Sequence, residues 1–320
     1  MVEEKVFGKT GEKIFPIGLG TYGHGEAYGG ISKEESFNIL KLVINNSLNT
    51  KILIDTAPRY GNGRVEEWIG EFIKNYDNKF LIATKCGRHI EEGRINEKDF
   101  SEEFLRSDLE NSLKRLGLKQ IFLYQLHNPS LDSIKEGKIF DILEEFRKEG
   151  RILWYGISID KSIEGLEAIK ICKERLYNGL ASIQVIYNIL NKEANDLLFK
   201  KAEEENIAII TREVLLRGFL AGKYRNNNDF DKFPEAVMKQ IEIYGKDKLI
   251  NEVEKIKEII RVYNFPIVQT AINFSISNRC VTTTLIGINR VKYFHEDWNS
   301  INIKVPKELT DKLNVVPNLK

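Results

Sequence analysis

Short runs of apolar residues alternate with longer amphipathic segments along most of the chain. Each apolar run predicts a β-strand, and the nearly continuous hydrophobicity of these runs is typical of parallel strands buried on both faces. Eight strands are predicted, at 17-IGLGTY-22, 52-ILIDTA-57, 80-FLIATK-85, 121-IFLYQLH-127, 152-ILWYGIS-158, 182-SIQVIYN-188, 207-IAIITRE-213 and 281-VTTTLIG-287.

The segments between these runs predict helices. In 33-KEESFNILKLVINN-46, Phe37, Leu40 and Val43 recur at helical spacing, and the segments 101–117, 138–150 and 193–206 follow the same pattern. The opening 5-KVFGKTGEKIFPIG-18 predicts a hairpin around 9-KTGEK-13 that caps the bottom of the fold. The segment 225–245 is rich in Asn, Asp and Lys, which predicts a surface insertion.

Eight β-then-α units predict an α/β fold, a closed (β/α)8 TIM barrel with an N-terminal β-hairpin cap. An open Rossmann sheet would need three glycines after its first strand and an acid about 20 residues later. The nearest candidate, 18-GLG-20, lies within the strand and lacks the third glycine. No low-complexity linker divides the sequence, so residues 1–320 are expected to form a single domain.

Charge and cysteine usage exclude several classes of protein. The 48 basic and 47 acidic residues interleave along the chain, so we expect neither a nucleic-acid nor an anionic-membrane partner. No apolar run approaches the roughly 18 residues of a membrane span, and the first residues do not resemble a signal peptide. Three widely spaced cysteines indicate a reducing compartment, without a disulfide framework or a metal site. A cytoplasmic protein is expected.

Polar side chains follow several of the predicted strands. The carboxyl ends of TIM-barrel strands carry the active site, and Asp55, Lys85 and His127 come at the ends of three successive strands. Tyr60 lies on the turn after the first of them, among a proline and two glycines. Taken singly, the acid has the alternative of capping a helix, the lysine of being solvated, and the histidine of being an ordinary polar residue. Their convergence favours a catalytic cluster.

The chain carries an ordered set of motifs: 54-IDTAPRYGNGRVEEWIG-70, 83-ATKCG-87, 112-SLKRLGLKQIFLYQLHNP-129, 147-RKEGRILWYGIS-158, 184-QVIYN-188 and 218-GFLAGKY-224. These motifs resemble those of the aldo-keto reductase superfamily, and the resemblance extends from the N-terminal hairpin to about Asn299. It implies an NADP(H)-dependent oxidoreductase that reduces an aldehyde or ketone to an alcohol, or catalyses the reverse reaction. The family's catalytic tetrad falls on Asp55, Tyr60, Lys85 and His127.

The chemistry of carbonyl reduction suits these four residue types. A carbonyl oxygen that gains negative charge needs a proton donor, and Tyr60 is the candidate. The ordinary pKa of tyrosine, about 10, is high for this task, and a neighbouring Lys85 is expected to lower it. Asp55 would keep Lys85 charged and oriented, and His127 would polarise the carbonyl oxygen as a hydrogen-bond donor.

The resemblance also implies a nicotinamide cofactor bound across the barrel mouth without a Rossmann fold. NADP(H) is favoured and NAD(H) is the alternative, because Tyr293 stands where many relatives carry an arginine for the 2′-phosphate. Two other departures from the family pattern are Ile159, in place of an asparagine, and 214-VL-215, in place of Pro-Leu. The predicted cofactor-binding residues are Gly20, Thr21, Tyr22, Ser158, Gln184, Arg212, Leu215, Gly218, Gly287, Asn289, Arg290 and Lys292.

The predicted substrate rim is polar, with His24, Tyr28, Arg59 and Asn128. It favours a sugar or another polar carbonyl compound, although these residues could equally be solvated loop residues. The expected partner is a small-molecule carbonyl or alcohol, and the oligomeric state is left open. Two alternative functions remain. One is a regulatory cofactor-binding protein like the ion-channel β-subunits, and the other is a lyase with Lys85 as Schiff-base nucleophile, which an adjacent Asp55 would oppose.

Overall fold

The computed structural model describes residues 3–319 except 77 and 225–232. All eight predicted barrel strands are present, with ends that shift by a few residues. The short strands β1 (Lys5–Val6) and β2 (Lys13–Ile14) form the predicted antiparallel hairpin. The barrel strands are β3 (Ile17–Gly20), β4 (Ile52–Asp55), β5 (Phe80–Cys86), β6 (Ile121–His127), β7 (Ile152–Ser158), β8 (Leu180–Ile186), β9 (Ala208–Arg212) and β10 (Val281–Ile286).

Helices follow the strands and cover the outside of the barrel. Within the described ranges, no helix is both long enough and apolar enough to span a bilayer. The helices are α1 (Lys33–Asn45), α2 (Arg64–Ile73), α3 (Glu102–Leu116), α4 (Leu131–Glu136), α5 (Lys138–Lys148), α6 (Ser162–Glu174), α7 (Leu198–Glu204), α8 (Glu235–Tyr244), α9 (Lys246–Arg261), α10 (Ile267–Ile276), α11 (Val291–Trp298) and α12 (Lys307–Asn314).

Two segments differ from their predicted form. The helix predicted over 193–206 is broken into a 3-10 turn, Glu193–Asn195, and the shorter α7. The Asn195 side chain accepts a hydrogen bond from Asn278 (2.8 Å), so a tertiary contact overrides the helical pattern. Of the insertion predicted over 225–245, residues 225–232 lie outside the described chain. The rest includes α8, whose Ala236 and Val237 are buried, so that part is packed rather than a surface loop.

The eight parallel strands close into a barrel in the order β10-β3-β4-β5-β6-β7-β8-β9. This confirms the predicted fold class. Alternate residues of each strand face the helices or the barrel interior, because side chains along a strand point to opposite faces. On β4, for example, Ile52 and Ile54 join the hydrophobic layer under the helices, whereas Leu53 joins the interior cluster.

The interior cluster fills the bottom of the barrel. It combines Leu53, Ala83, Leu123 and Ile210 from the strands with Phe7 from the hairpin. The ring of Phe7 is fully buried and lies 5.7 Å from the ring of Phe122 in an edge-on arrangement. The hairpin therefore plugs the amino-terminal end of the barrel, as predicted, and leaves the opposite end to carry polar groups.

Candidate active site

The two-residue period of the strands places the predicted site residues above the apolar plug. Asp55 follows Leu53 by two positions, Lys85 follows Ala83 by two, and His127 follows Leu123 by four. The three side chains therefore point into the barrel interior, as the apolar side chains before them do. The side chain of Arg212, two positions after Ile210, points inward for the same reason.

Lys85 and Asp55 form a buried ion pair at the centre of this polar layer. The Lys85 Nζ lies 2.5 Å from Asp55 Oδ2, and the two residues are 1% and 3% exposed. The same ammonium donates to the Thr56 carbonyl (3.0 Å) and to the Tyr60 hydroxyl (3.3 Å). All three protons of the ammonium are thus used, which is what a buried charge requires.

The second oxygen of the Asp55 carboxylate is also fully engaged. Asp55 Oδ1 accepts from Gln184 Nε2 (2.7 Å) and from Gln125 Nε2 (3.0 Å). Burial alone would lower the pKa of Lys85, but the Asp55 carboxylate and the Tyr60 hydroxyl outweigh burial and raise it above its ordinary value. Lys85 therefore remains an ammonium at neutral pH.

The turn after β4 directs Tyr60 back over the lysine. Gly61, Asn62 and Gly63 all have positive φ angles of 61°, 52° and 88°, a run that glycine adopts readily and asparagine tolerates. The Gly63 amide donates to the Pro58 carbonyl (2.6 Å), which closes the turn. The Tyr60 ring is buried, with the Lys85 ammonium 5.1 Å from its centroid. This turn could be predicted from the sequence, because a proline and two glycines flank the tyrosine.

The pKa of Tyr60 differs from the sequence-based expectation. Burial raises the pKa of the phenol, and the positive charge of Lys85 opposes this effect without cancelling it. The predicted lowering effect of Lys85 is present, but the net pKa lies above the ordinary value of tyrosine. Tyr60 therefore carries its proton at neutral pH, the state required of a proton donor.

His127 is held in its neutral form. Burial lowers the pKa of its imidazole well below the ordinary value, and the positive charges of Lys85 and Arg59 lower it further. A neutral imidazole carries one N–H that can donate a hydrogen bond without adding charge to the site. The side chain is 9% exposed, so this donor lies at the inner edge of the barrel mouth.

Strand β5 is braced on both sides of Lys85 by groups that sequence reasoning missed. Thr84 Oγ1 donates to Glu66 Oε1 (2.6 Å), and Glu66 also pairs with Arg115 (2.6 Å). On the other side, the Gly87 amide donates to Asp108 Oδ2 (3.2 Å). Isolated acids on helices α2 and α3 carry no sequence signal of such a role, since most helical acids are solvated.

Several predicted cofactor residues line the same end of the barrel. Ser158 Oγ donates to Gln184 Oε1 (3.3 Å), so these two side chains lie together beside Asp55. Thr21 is buried, and its hydroxyl donates to the Asp55 carbonyl (2.9 Å). Gly20 and Gly287 face each other across β3 and β10. A Cβ added at Gly287 would meet nothing closer than the Gly20 oxygen at 4.0 Å, so the mouth is open here.

Arg212 is the last residue of β9, and the N–H groups along the edge of its guanidinium donate hydrogen bonds. It donates to Glu213 Oε1 (2.9 Å), to the Ile159 carbonyl (2.8 Å) and to Asp160 Oδ1 (2.8 Å). These bonds lie in the plane of the guanidinium, so they do not use its flat faces. Its Nε is buried and has no hydrogen-bond partner among the described residues.

A cluster of cations lies in the loops after β9 and β10. The ammonium groups of Lys223 and Lys292 lie 4.6 Å and 4.9 Å from the centroid of the Tyr293 ring. Arg290 donates to the carbonyls of Gly30 (3.1 Å) and Asn289 (2.6 Å). Lys223 was missed by residue-level prediction, although it lies within the motif 218-GFLAGKY-224. Leu215 and Gly218 belong to the same loop and are partly exposed.

One of the four predicted rim residues, His24, is not exposed at the barrel mouth. His24 is fully buried, and its ring nitrogens bond to Ser36 Oγ and to the Ile288 carbonyl, both at 2.9 Å. The prediction that His24 faces the substrate is therefore not supported, since the ring instead ties the loop after β3 to the loop after β10. Burial lowers the pKa of His24 to about 4.

The other rim residues remain near the mouth. The ring of Tyr28 lies 5.9 Å from that of Tyr22, which in turn lies 5.2 Å from the ring of Tyr60. Asn128 has a positive φ of 55°, and its backbone N–H donates to the Ser158 carbonyl (2.9 Å). Within the described ranges there is no group of three His, Cys, Asp or Glu side chains able to hold a metal ion.

Both His127 and His24 are expected to stay neutral between about pH 5.5 and 8, because burial disfavours their charged forms. NMR titration of the ring resonances, assigned with His127→Gln and His24→Asn, should show no inflection for either residue in this interval. A midpoint near the ordinary histidine value for His127 would mean that the site holds an imidazolium, contrary to the geometry described.

Several known proteins are similar to this chain in sequence. The model of the Aldo/keto reductase family matches residues 16–316. Aldo-keto reductase YhdN of Bacillus subtilis (strain 168) is 32% identical over 235 residues, which cover 69% of this chain and 65%, just under two thirds, of that protein. The Schizosaccharomyces pombe protein "Aldo-keto reductase yakc [NADP(+)]" is 29% identical, over 93% of this chain and 87% of its own length.

The fold comparison leads to the same group of proteins. The aldo-keto reductase AKR11C1 from Bacillus halodurans (holo form) superposes with a TM-score of 0.78 at 20% identity, over 98% of this chain and 96% of that structure. At this identity the superposition supports the fold alone. The family model covers nearly all of the chain, and on that ground the chain belongs to the aldo/keto reductase family.

Proposed function

We propose that this chain is an NADP(H)-dependent oxidoreductase that reduces an aldehyde or ketone to an alcohol, or catalyses the reverse reaction, with Tyr60 as proton donor. The observation that carries the proposal is the contact of the Tyr60 hydroxyl with the Lys85 ammonium (3.3 Å), within a pair that Asp55 holds in place. The family uses nicotinamide cofactors and acts on small carbonyl compounds. The proposed substrate is a polar aldehyde or ketone.

The four residues divide the work of reduction among them. A bound nicotinamide cofactor supplies the hydride that the carbonyl carbon receives. The neutral imidazole of His127 donates a hydrogen bond to the carbonyl oxygen, and this bond holds the oxygen near Tyr60. Tyr60 gives its proton to the oxygen as negative charge develops there, and the resulting phenolate is stabilised by Lys85. Solvent then restores the proton to Tyr60.

Asp55 acts on Lys85 rather than on the substrate. Its carboxylate accepts from the lysine and from two glutamines, so it is held as an anion among donors. This arrangement raises the pKa of Lys85 despite burial, and it opposes the alternative in which Lys85 attacks a carbonyl as a neutral amine. The geometry therefore favours proton transfer over Schiff-base chemistry.

The residues at the mouth fit a dinucleotide. The edge of the Arg212 guanidinium is bonded to carboxylates, so we assign its flat face to stacking on the nicotinamide ring. We assign Ser158 and Gln184 to hydrogen bonds with the carboxamide. The cations Arg290, Lys292 and Lys223 lack a carboxylate partner in the described part of the chain, which suits the phosphates. Two lysines around Tyr293 supply positive charge where the family arginine is absent, so NADP(H) is favoured over NAD(H).

We further propose that the whole chain acts as one domain. The hydrophobic layer between strands and helices draws on residues from Phe15, near the start, to Val316, near the end. The regulatory alternative shares this fold and the same cofactor site, and turnover distinguishes it from an enzyme.

Tyr60→Phe removes one hydroxyl and little volume, so fold and cofactor binding should persist. Carbonyl reduction should fall about 10²- to 10⁴-fold, the usual loss for a general acid, with NADPH affinity nearly unchanged. Steady-state kinetics on a panel of polar aldehydes, with cofactor binding followed by fluorescence, measures both. The matched control is Tyr76→Phe, the same change beyond the end of α2. Near-normal reduction by the Tyr60→Phe protein would overturn the proposed role, and a wild-type protein without turnover would favour the regulatory alternative.

Lys223→Met and Lys292→Met should each weaken NADPH binding about tenfold or more, because each removes a cation from the proposed phosphate site. The effect on NADH should be smaller, since NADH lacks the additional phosphate. Isothermal titration with both cofactors measures the difference, and Lys200→Met, an exposed lysine on α7, serves as control. Equal loss of both cofactors would remove these lysines from recognition of the 2′-phosphate.

A further inference from the structure

The arginines of this chain fall into two groups. In the described ranges, ten of them lie beside a carboxylate. Four have no carboxylate partner: Arg59, Arg88, Arg261 and Arg290. Arg261 is exposed at the end of α9 and needs none. Arg290 lies in the segment proposed to hold cofactor phosphate, which leaves two guanidiniums at the barrel mouth to be explained.

Arg59 immediately precedes Tyr60 in the turn after β4. Its guanidinium lies 5.7 Å from the centroid of the Tyr22 ring, and that ring packs edge-on against Tyr60 at 5.2 Å. The side chain is partly buried and makes no hydrogen bond or ion pair with any residue that the structure describes. A partly buried guanidinium that has no carboxylate partner and lies beside the proposed proton donor is available to an anionic ligand.

Arg88 approaches the same centre from the loop after β5. Its Nε donates to the His127 carbonyl (3.2 Å) and its Nη1 to the Asn96 carbonyl (3.0 Å), both of which are uncharged acceptors. Burial lowers the pKa of Arg88, and the nearby charge of Arg59 lowers it further. The negative charge of Asp160 opposes both effects, but its carboxylate is already bonded to Arg212 (2.8 Å). Neither Arg59 nor Arg88 therefore has a carboxylate partner of its own among the described residues.

The topology separates Arg88 from Lys223 of the proposed phosphate site. Arg88 follows β5 and Lys223 follows β9, and these two strands lie diametrically opposite each other in the closed order. Arg59 follows β4, the neighbour of β5, and its charge acts on Arg88. We therefore assign Arg59 and Arg88 to a different anionic group from the one that Lys223 contacts.

We propose that the substrate is a carbonyl compound carrying an anionic group, a carboxylate or a phosphate, which Arg59 binds together with Arg88. This rests on the proposed reductase function and narrows its substrate class from polar to acidic. Arg59 supplies an unused, planar pair of donors that suits the two oxygens of such a group. Arg88 adds charge and positions His127 through its bond to the carbonyl of that residue. The two arginines are specificity-determining, and neither takes part in proton transfer.

Matched pairs of carbonyl compounds test this assignment. The pairs are succinic semialdehyde with its methyl ester, para-carboxybenzaldehyde with its methyl ester, and glyceraldehyde phosphate with glyceraldehyde. The acidic member of at least one pair should have a kcat/KM about 10- to 100-fold higher, the gain expected from one charge-assisted contact. The first two pairs respond if the natural group is a carboxylate, and the third if it is a phosphate. No preference for the acidic member in any pair overturns the proposal.

Substitution locates the preference in the chain. Arg59→Gln should reduce the ratio of acidic to neutral kcat/KM about tenfold or more, mainly by raising KM for the acidic member, and Arg59→Lys should retain part of it. Arg88→Gln should reduce the same ratio. Arg261→Gln, the unpaired surface arginine, is the matched control and should leave every ratio unchanged. A ratio unaffected by Arg59→Gln would contradict the assignment even if the wild-type preference existed.

Binding without turnover separates this inference from the reductase proposal. Benzoate should bind the NADPH complex about tenfold or more tightly than benzamide, and Arg59→Gln should abolish that difference. If the protein reduces neutral aldehydes but binds benzoate no better than benzamide, the inference fails and the reductase function stands. If benzoate is preferred through Arg59 while no aldehyde is reduced, the anion site is supported and the proposed function fails.

Discussion

The buried pair of Lys85 and Asp55 is the interaction on which the rest of the site depends. Two opposite charges at 2.5 Å, each almost fully buried, are stable only if every remaining proton and lone pair has a partner. Thr56, Tyr60, Gln125 and Gln184 provide those partners, so the pair determines where the phenol and both amides lie. Removing either charge would leave the other unpaired inside the barrel. The arrangement of the proposed catalytic groups and the local stability of the barrel mouth thus share one cause.

Much of the fold and of the site centre could be predicted from the sequence because both follow from the spacing of strand residues. Continuous apolar runs marked the strands, and their two-residue period directs Asp55, Lys85 and His127 into the interior. The broken helix over 193–206 could not be predicted, since a contact with Asn278, distant in sequence, determines it. The burial of His24, the raised pKa of Tyr60 and the position of Lys223 likewise depend on tertiary packing, which local sequence does not encode.

The charges around the mouth divide it into two sides with different tasks. Arg212, at the end of β9, has its charge balanced by Asp160 and Glu213, which suits the stacking contact proposed for it. The cations after β9 and β10 suit cofactor phosphates, and the arginines after β4 and β5 suit an acidic substrate. The neutral state of His127 fits the same pattern, because an imidazolium at this position would be repelled by Lys85 and both arginines.

The ionisation of Tyr60 tests the central claim most directly. A monofluorinated tyrosine at position 60, which ionises at lower pH than tyrosine, allows the phenol to be titrated by fluorine NMR while the fold is intact. We expect Lys85→Met to raise the midpoint, because the ammonium stabilises the phenolate across the 3.3 Å contact. A midpoint that stays unchanged or falls in the Lys85→Met protein would contradict that claim.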